Sequence, residues 1–140
     1  MSASPNFLVI DGYSLAGREG LEAGGASTAG VLYRKMLKHL SPGCSVDIIY
    51  PADPGVALPD AVGLEQYDGL AWTGSSLTIW KDGDPRVTPQ IELMRTAYRN
   101  QLPSFGSCWA AQLGAVAAGG RVVEHPHGRE MGIARKITLT

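Results

Sequence analysis

Four short apolar runs divide this chain, and the segments between them carry helical rather than strand periodicity. That alternation constrains the fold more than any other feature. Asn6-Phe7-Leu8-Val9-Ile10-Asp11 reads as a buried first strand that ends on an acid. Ser45 to Tyr50, Asp68 to Gly74 and the apolar stretch Leu102-Pro103-Ser104-Phe105 read as the second, third and fourth. A Gly-rich loop is expected from Gly12 to Gly25. The pattern then predicts a helix from Ala26 to Leu40, with Val31, Leu32, Met36, Leu37 and Leu40 as its apolar stripe and Pro42-Gly43 as its stop. A second helix is predicted from about Pro85 to Gln101, with Val87, Ile91, Met94 and Tyr98 on one face. A third runs from Trp109 to Ala118 and closes on Gly119-Gly120, a C-cap signal. Arg121 to Glu124 and Ile133 to Thr140 are two further strand candidates. Strands alternating with helices predict a mostly parallel open sheet with helices on both faces. Ligands gather at the carboxyl ends of such strands. Three loops meet that description: the ones after Asp11 and after Thr73, and the turn at Cys108.

Length and composition narrow the function classes. A chain of 140 residues reads as one domain, 1–140, and 44% hydrophobic with 18% charged residues is ordinary for a globular core. A net charge of −1 with interspersed signs gives no footprint for nucleic acid or an anionic membrane. No apolar run approaches the roughly 18–20 residues of a membrane span. Cys44 and Cys108 lack the spacing of a zinc or redox motif. Met1-Ser2-Ala3-Ser4-Pro5 does not have the form of a signal peptide, so a cytoplasmic location without disulfides is expected.

The chemistry centres on Cys108, in Gly106-Ser107-Cys108-Trp109-Ala110-Ala111-Gln112. A strand that turns through Gly and Cys into an Ala-rich helix has the local form of a nucleophile elbow. A strained turn exposes the side chain there, and the helix N-terminus favours negative charge on it. The competing reading is a small buried core cysteine. Thr73-Gly74-Ser75-Ser76 follows the third strand, and attack on a carbonyl needs N–H donors aimed at the developing oxyanion. The backbone N–H groups of Ser75 and Trp109 are the two candidates; a plain turn is the alternative for the first. Asp11-Gly12 and Arg18-Glu19-Gly20 either border this site or form a solvated loop. His125-Pro126-His127 reads as a surface turn, because two histidines around a proline define no ligand geometry. His39 suits a helix C-terminus. Gly24-Gly25 has neither phosphate-loop spacing. No metal and no cofactor is assigned.

These residues resemble the class I (triad-type) glutamine amidotransferases, most nearly their stand-alone, GMP-synthase-like group. The matching elements fall in order: Tyr67-Asp68-Gly69-Leu70, Thr73-Gly74-Ser75, Pro103 to Gln112, Gly119-Gly120-Arg121-Val122 and Gly128-Arg129-Glu130-Met131-Gly132. The resemblance implies a flavodoxin-like fold. It also implies that Cys108 attacks the side-chain amide of glutamine to give a glutamyl thioester and ammonia, and that water then releases glutamate. Ser75 and Trp109 would supply the oxyanion donors, and Gly74 and Gln112 would hold the substrate. An ammonia-accepting synthetase would be the partner. Ala110 stands where the family usually has Gly, and Ser75 where many members have a second Gly. The family's base and orienting acid form a His-x-Glu pattern, which this chain lacks. The expectation is therefore an incomplete domain, with the base on a C-terminal remainder or fragment. A γ-glutamyl peptidase on the same architecture and a non-catalytic binding protein are the alternatives.

Overall fold

In the computed structural model, which describes residues 4–81 and 83–128, the chain alternates as its pattern predicts. The elements are β1 (Asn6–Ile10), α1 (Leu15–Ala23), α2 (Ala29–Leu40), β2 (Ser45–Ile49), α3 (Ala61–Leu64), β3 (Gly69–Trp72), α4 (Thr88–Arg99), β4 (Ser104–Gly106) and α5 (Trp109–Ala117). All four strands pair in parallel, in the order β2-β1-β3-β4. Ile10 lies opposite Ile49 on one side and Trp72 on the other, and Trp72 opposite Gly106. The direction of winding reverses between β1 and β3, which places the crevice of this flavodoxin-like open sheet at their carboxyl ends.

The two faces of the sheet are covered unequally. Leu8, Ile10, Leu70 and Trp72 pack with Leu93, Met94, Ala97, Trp109 and Leu113 of α4 and α5 into the main core. These two helices approach closely: a Cβ on Gly114 would lie 2.7 Å from the Tyr98 hydroxyl. On the other face α2 contacts β1 and β2. β3 is buried on this face too, with Ala71 5% exposed, whereas β4 is left exposed among the described residues. The predicted stripe of α2 is therefore only partly buried, with Leu32, Met36 and Leu40 exposed. Met36 and Leu40 instead line an open apolar groove with Phe7, Leu70, Ala71 and Phe105.

Three expectations need correction. The Gly-rich stretch from 12 to 25 is not all loop, because it contains α1. Ser14 caps that helix by accepting from the Gly17 N–H. Buried Arg18 anchors it: the guanidinium binds Asp53 at 2.7 Å and the Tyr13 carbonyl at 2.8 Å, and lies 4.1 Å from the Tyr50 ring centroid. Gly25, at φ +78, ends it in a Schellman motif, with Ala26 N–H bonded to the Leu21 carbonyl. Second, α2 and α4 begin three residues later than predicted. The Asp84 carbonyl accepts from the Val87 and Thr88 N–H groups in a turn that precedes α4. Third, Arg121–Glu124 joins no strand among the described residues; Val122 packs against the core as irregular chain. The candidate strand Ile133 to Thr140 lies outside the described residues. Among them, no helix is long and apolar enough to cross a membrane.

Candidate active site

The turn from β4 into α5 is built around two small residues. A Cβ on Gly106 would lie 2.4 Å from Ala110 Cβ and 3.0 Å from Trp72 Cβ. Glycine at 106 therefore lets the chain double back, and it leaves room for the buried Ala110 methyl. Cys108 sits at the apex with φ 57 and ψ −109, a conformation costly for any residue with a Cβ. It is exposed and stands at the N-cap of α5, where the helix dipole favours an anion. Among the described residues its thiol has no hydrogen-bond partner.

The loop after β3 lies beside this thiol. A Cβ on Gly74 would be 3.9 Å from Cys108 Sγ. The Ser75 hydroxyl donates to the Gly12 carbonyl at 2.8 Å and accepts from the Leu77 N–H at 3.0 Å. The N–H groups of Ser75 and Trp109 donate to no protein acceptor among the described residues. Gly12 ties the third loop to the other two. Its N–H donates to Thr73 Oγ1 at 3.0 Å, and that hydroxyl donates to the Gly74 carbonyl at 2.8 Å. A Cβ on Gly12 would come within 2.7 Å of the Trp109 ring. The three loops expected at the strand ends thus meet at one place.

Two groups in this assembly escaped sequence reasoning. The indole N–H of buried Trp109 donates to Gln90 Oε1 at 2.9 Å. Gln90 Nε2 in turn donates to the Arg86 carbonyl at 2.8 Å and, at 3.4 Å, to the Gly12 carbonyl. The available signal was a polar residue on the apolar face of α4, between Val87 and Met94. The Tyr33 hydroxyl, 3.1 Å from Ser107 Oγ beside the elbow, is the other.

Asp11 is fully buried and is not part of a solvated loop. Its carboxylate accepts from Tyr13 N–H at 3.1 Å and from Gly30 N–H at 2.8 Å. It thereby caps α2, whose N-cap Thr28 makes no side-chain bond. Burial raises its pKa, while those two N–H groups and Arg18 act in the opposite sense. Gln112 Oε1 is buried without a hydrogen-bond partner among the described residues. His125 and His127 lie exposed in a turn closed by Gly128 N–H on the His125 carbonyl, with their rings 5.6 Å apart. No group of three or more metal-ligating side chains occurs among the described residues.

No family model matches the chain, and no solved structure matches it. It is similar to a curated protein of a Pseudomonas species, gamma-glutamyl-L-1-hydroxyisopropylamide hydrolase, at 34% identity over 116 residues. Those residues are 83% of this chain and 38% of that protein, so the chain spans well under half the length of the relative it matches. Over most of its own length, the chain is therefore similar to part of a hydrolase named for a γ-glutamyl amide.

Proposed function

We propose that this chain carries the nucleophile and oxyanion site of a cysteine-dependent hydrolase of γ-glutamyl amides, glutamine being the simplest member of that class. The observation that carries the reading is Cys108, exposed at a strained helix N-terminus with Gly74 alongside and two backbone N–H groups that have no acceptor among the described residues. The thiolate attacks the γ-carbonyl carbon. The carbonyl electron pair moves onto oxygen, where the Ser75 and Trp109 N–H groups receive the charge. Collapse breaks the C–N bond, the amine leaves with a proton, and a γ-glutamyl thioester remains on Cys108 for water to release as glutamate. With glutamine the leaving amine is ammonia, and a synthetase that consumes it would be the partner. Gln112, one turn into the helix that follows Cys108, is assigned to substrate binding. The general base is assigned to residues outside those described, since Cys108 has no bonded base among them.

The similarity to a γ-glutamyl amide hydrolase favours small γ-glutamyl amines over glutamine as substrates. The test offers the enzyme a γ-glutamyl amino alcohol and glutamine side by side. Amine release from the first, with a glutamyl adduct on Cys108 seen by intact mass, is the expected result. Cys108→Ala is expected to abolish both. Activity that survives Cys108→Ala would overturn the assignment, and preferential release of ammonia from glutamine would return the enzyme to the amidotransferase type.

A further inference from the structure

The two candidate oxyanion donors sit on different loops, one after β3 and one after β4. We propose that Gln90, remote in sequence from both, is the positioning residue that holds them in register; this rests on the assignment of the Ser75 and Trp109 N–H groups as donors. The Ser75 hydroxyl binds the Gly12 carbonyl. Gln90 Nε2 reaches that same carbonyl, and Gln90 Oε1 receives the Trp109 indole N–H. The path Ser75–Gly12–Gln90–Trp109 therefore spans the crevice and joins both donors to one side chain. The orientation of the Gln90 amide is fixed by chemistry: an indole N–H can only donate, and two carbonyls can only accept.

The cost of this arrangement argues that geometry is what it supplies. Gln90 is completely buried in the apolar face of α4. Hydrocarbon side chains of similar volume at both positions 90 and 109 would fill the same space with no buried indole N–H or amide to satisfy. Catalysis by oxyanion donors is sensitive to placement, and an error on the order of 1 Å can cost about 100-fold. Gly12 reinforces the link, since its lack of a Cβ lets its backbone touch Trp109.

The test separates donor placement from thiol reactivity. Cys108 is acylated with the p-nitrophenyl ester of γ-glutamate: the S–C bond forms, the bond to oxygen breaks, nitrophenolate leaves, and the thiol proton goes to solvent. This step passes through an oxyanion. In parallel Cys108 is alkylated with iodoacetamide, a displacement at a saturated carbon that has none. Gln90→Leu is expected to slow acylation by about 10- to 100-fold and to leave alkylation unchanged. Trp109→Phe, which keeps the backbone N–H and deletes the indole donor, is expected to do the same. Equal acylation in wild type and Gln90→Leu, or an equal fall in both reactions, would overturn the proposal. Should Gln90→Leu fail to fold, Ser75→Ala cuts the same path at its other end and is judged by the same ratio. If wild type accepts an acetyl ester but not the γ-glutamyl one, the substrate assignment fails, and the acetyl ester decides the role of Gln90. If neither ester acylates Cys108, both fall.

Discussion

Glycine residues in one short stretch of this chain do opposite things, and their neighbours decide which. A Cβ at Gly12 would strike the Trp109 ring at 2.7 Å and approach Gln90 Oε1 at 3.2 Å, whereas at Gly20 nothing lies within 4 Å. Gly12→Ala is therefore expected to destabilise the protein by about 1–3 kcal/mol through overpacking. Gly20→Ala, inside α1, is expected to stabilise it by up to about 1 kcal/mol from helix propensity. Urea midpoints of the two variants check both signs. At this scale the sequence reveals what is encoded locally. Cys108 is legible because the strand, the turn and the helix that shape it are its immediate neighbours. Gly12 is legible only as part of a loop at a strand end, and Gln90 not at all, because its role comes from contacts with residues distant in the chain. Asp11 shows the same limit: an acid at a strand end reads as a site border or a solvated loop, and its bond from the Gly30 N–H is not visible in the sequence.

At the scale of elements, periodicity located all four strands and three of the helices. It missed the one-turn α3, and it missed α1 because glycines at 17, 20 and 24 dilute the helical signal and the anchor, Arg18, acts through Asp53 and Tyr50. The helix ends follow common rules with one exception. α5 closes on Gly119 in a Schellman motif, as the Gly-Gly signal predicts. α4 makes the same closure, with Leu102 N–H on the Ala97 carbonyl, but places Gln101 in the left-handed position at φ 53. A side chain there costs about 1 kcal/mol relative to glycine. Gln101→Gly is expected to raise stability by roughly that amount, read as an upward shift of the denaturation midpoint with an unchanged slope. A loss of stability would show that Gln101 makes a compensating contact.

At the scale of the whole molecule, two carboxylates tilt the pH dependence in opposite senses. The Arg86 side chain and N–H hold Asp84 down at about 2. A depressed carboxyl contributes stability above its unfolded value of 3.8, and the contribution is lost as pH falls towards 2. Asp84→Asn is thus expected to be less stable than wild type near neutrality, with the gap closing as pH falls through that window. Asp11, raised by burial, works the other way: its contribution is complete below 3.8 and is lost as pH rises through its folded value. Chemical denaturation of both proteins across the acid range checks the sign. The unequal cover of the sheet also belongs to this scale. The stripe on α2 was legible in the sequence as apolar, but whether a neighbour covers it depends on the assembled sheet. Phe105, 60% exposed on β4, is the plainest consequence.

The backbone at Cys108 carries a standing cost. Holding a residue with a Cβ at φ 57 and ψ −109 costs about 1–3 kcal/mol whether or not any substrate ever arrives. Glycine at this apex would relieve that cost, so cysteine here is a residue that the stability of the turn alone disfavours.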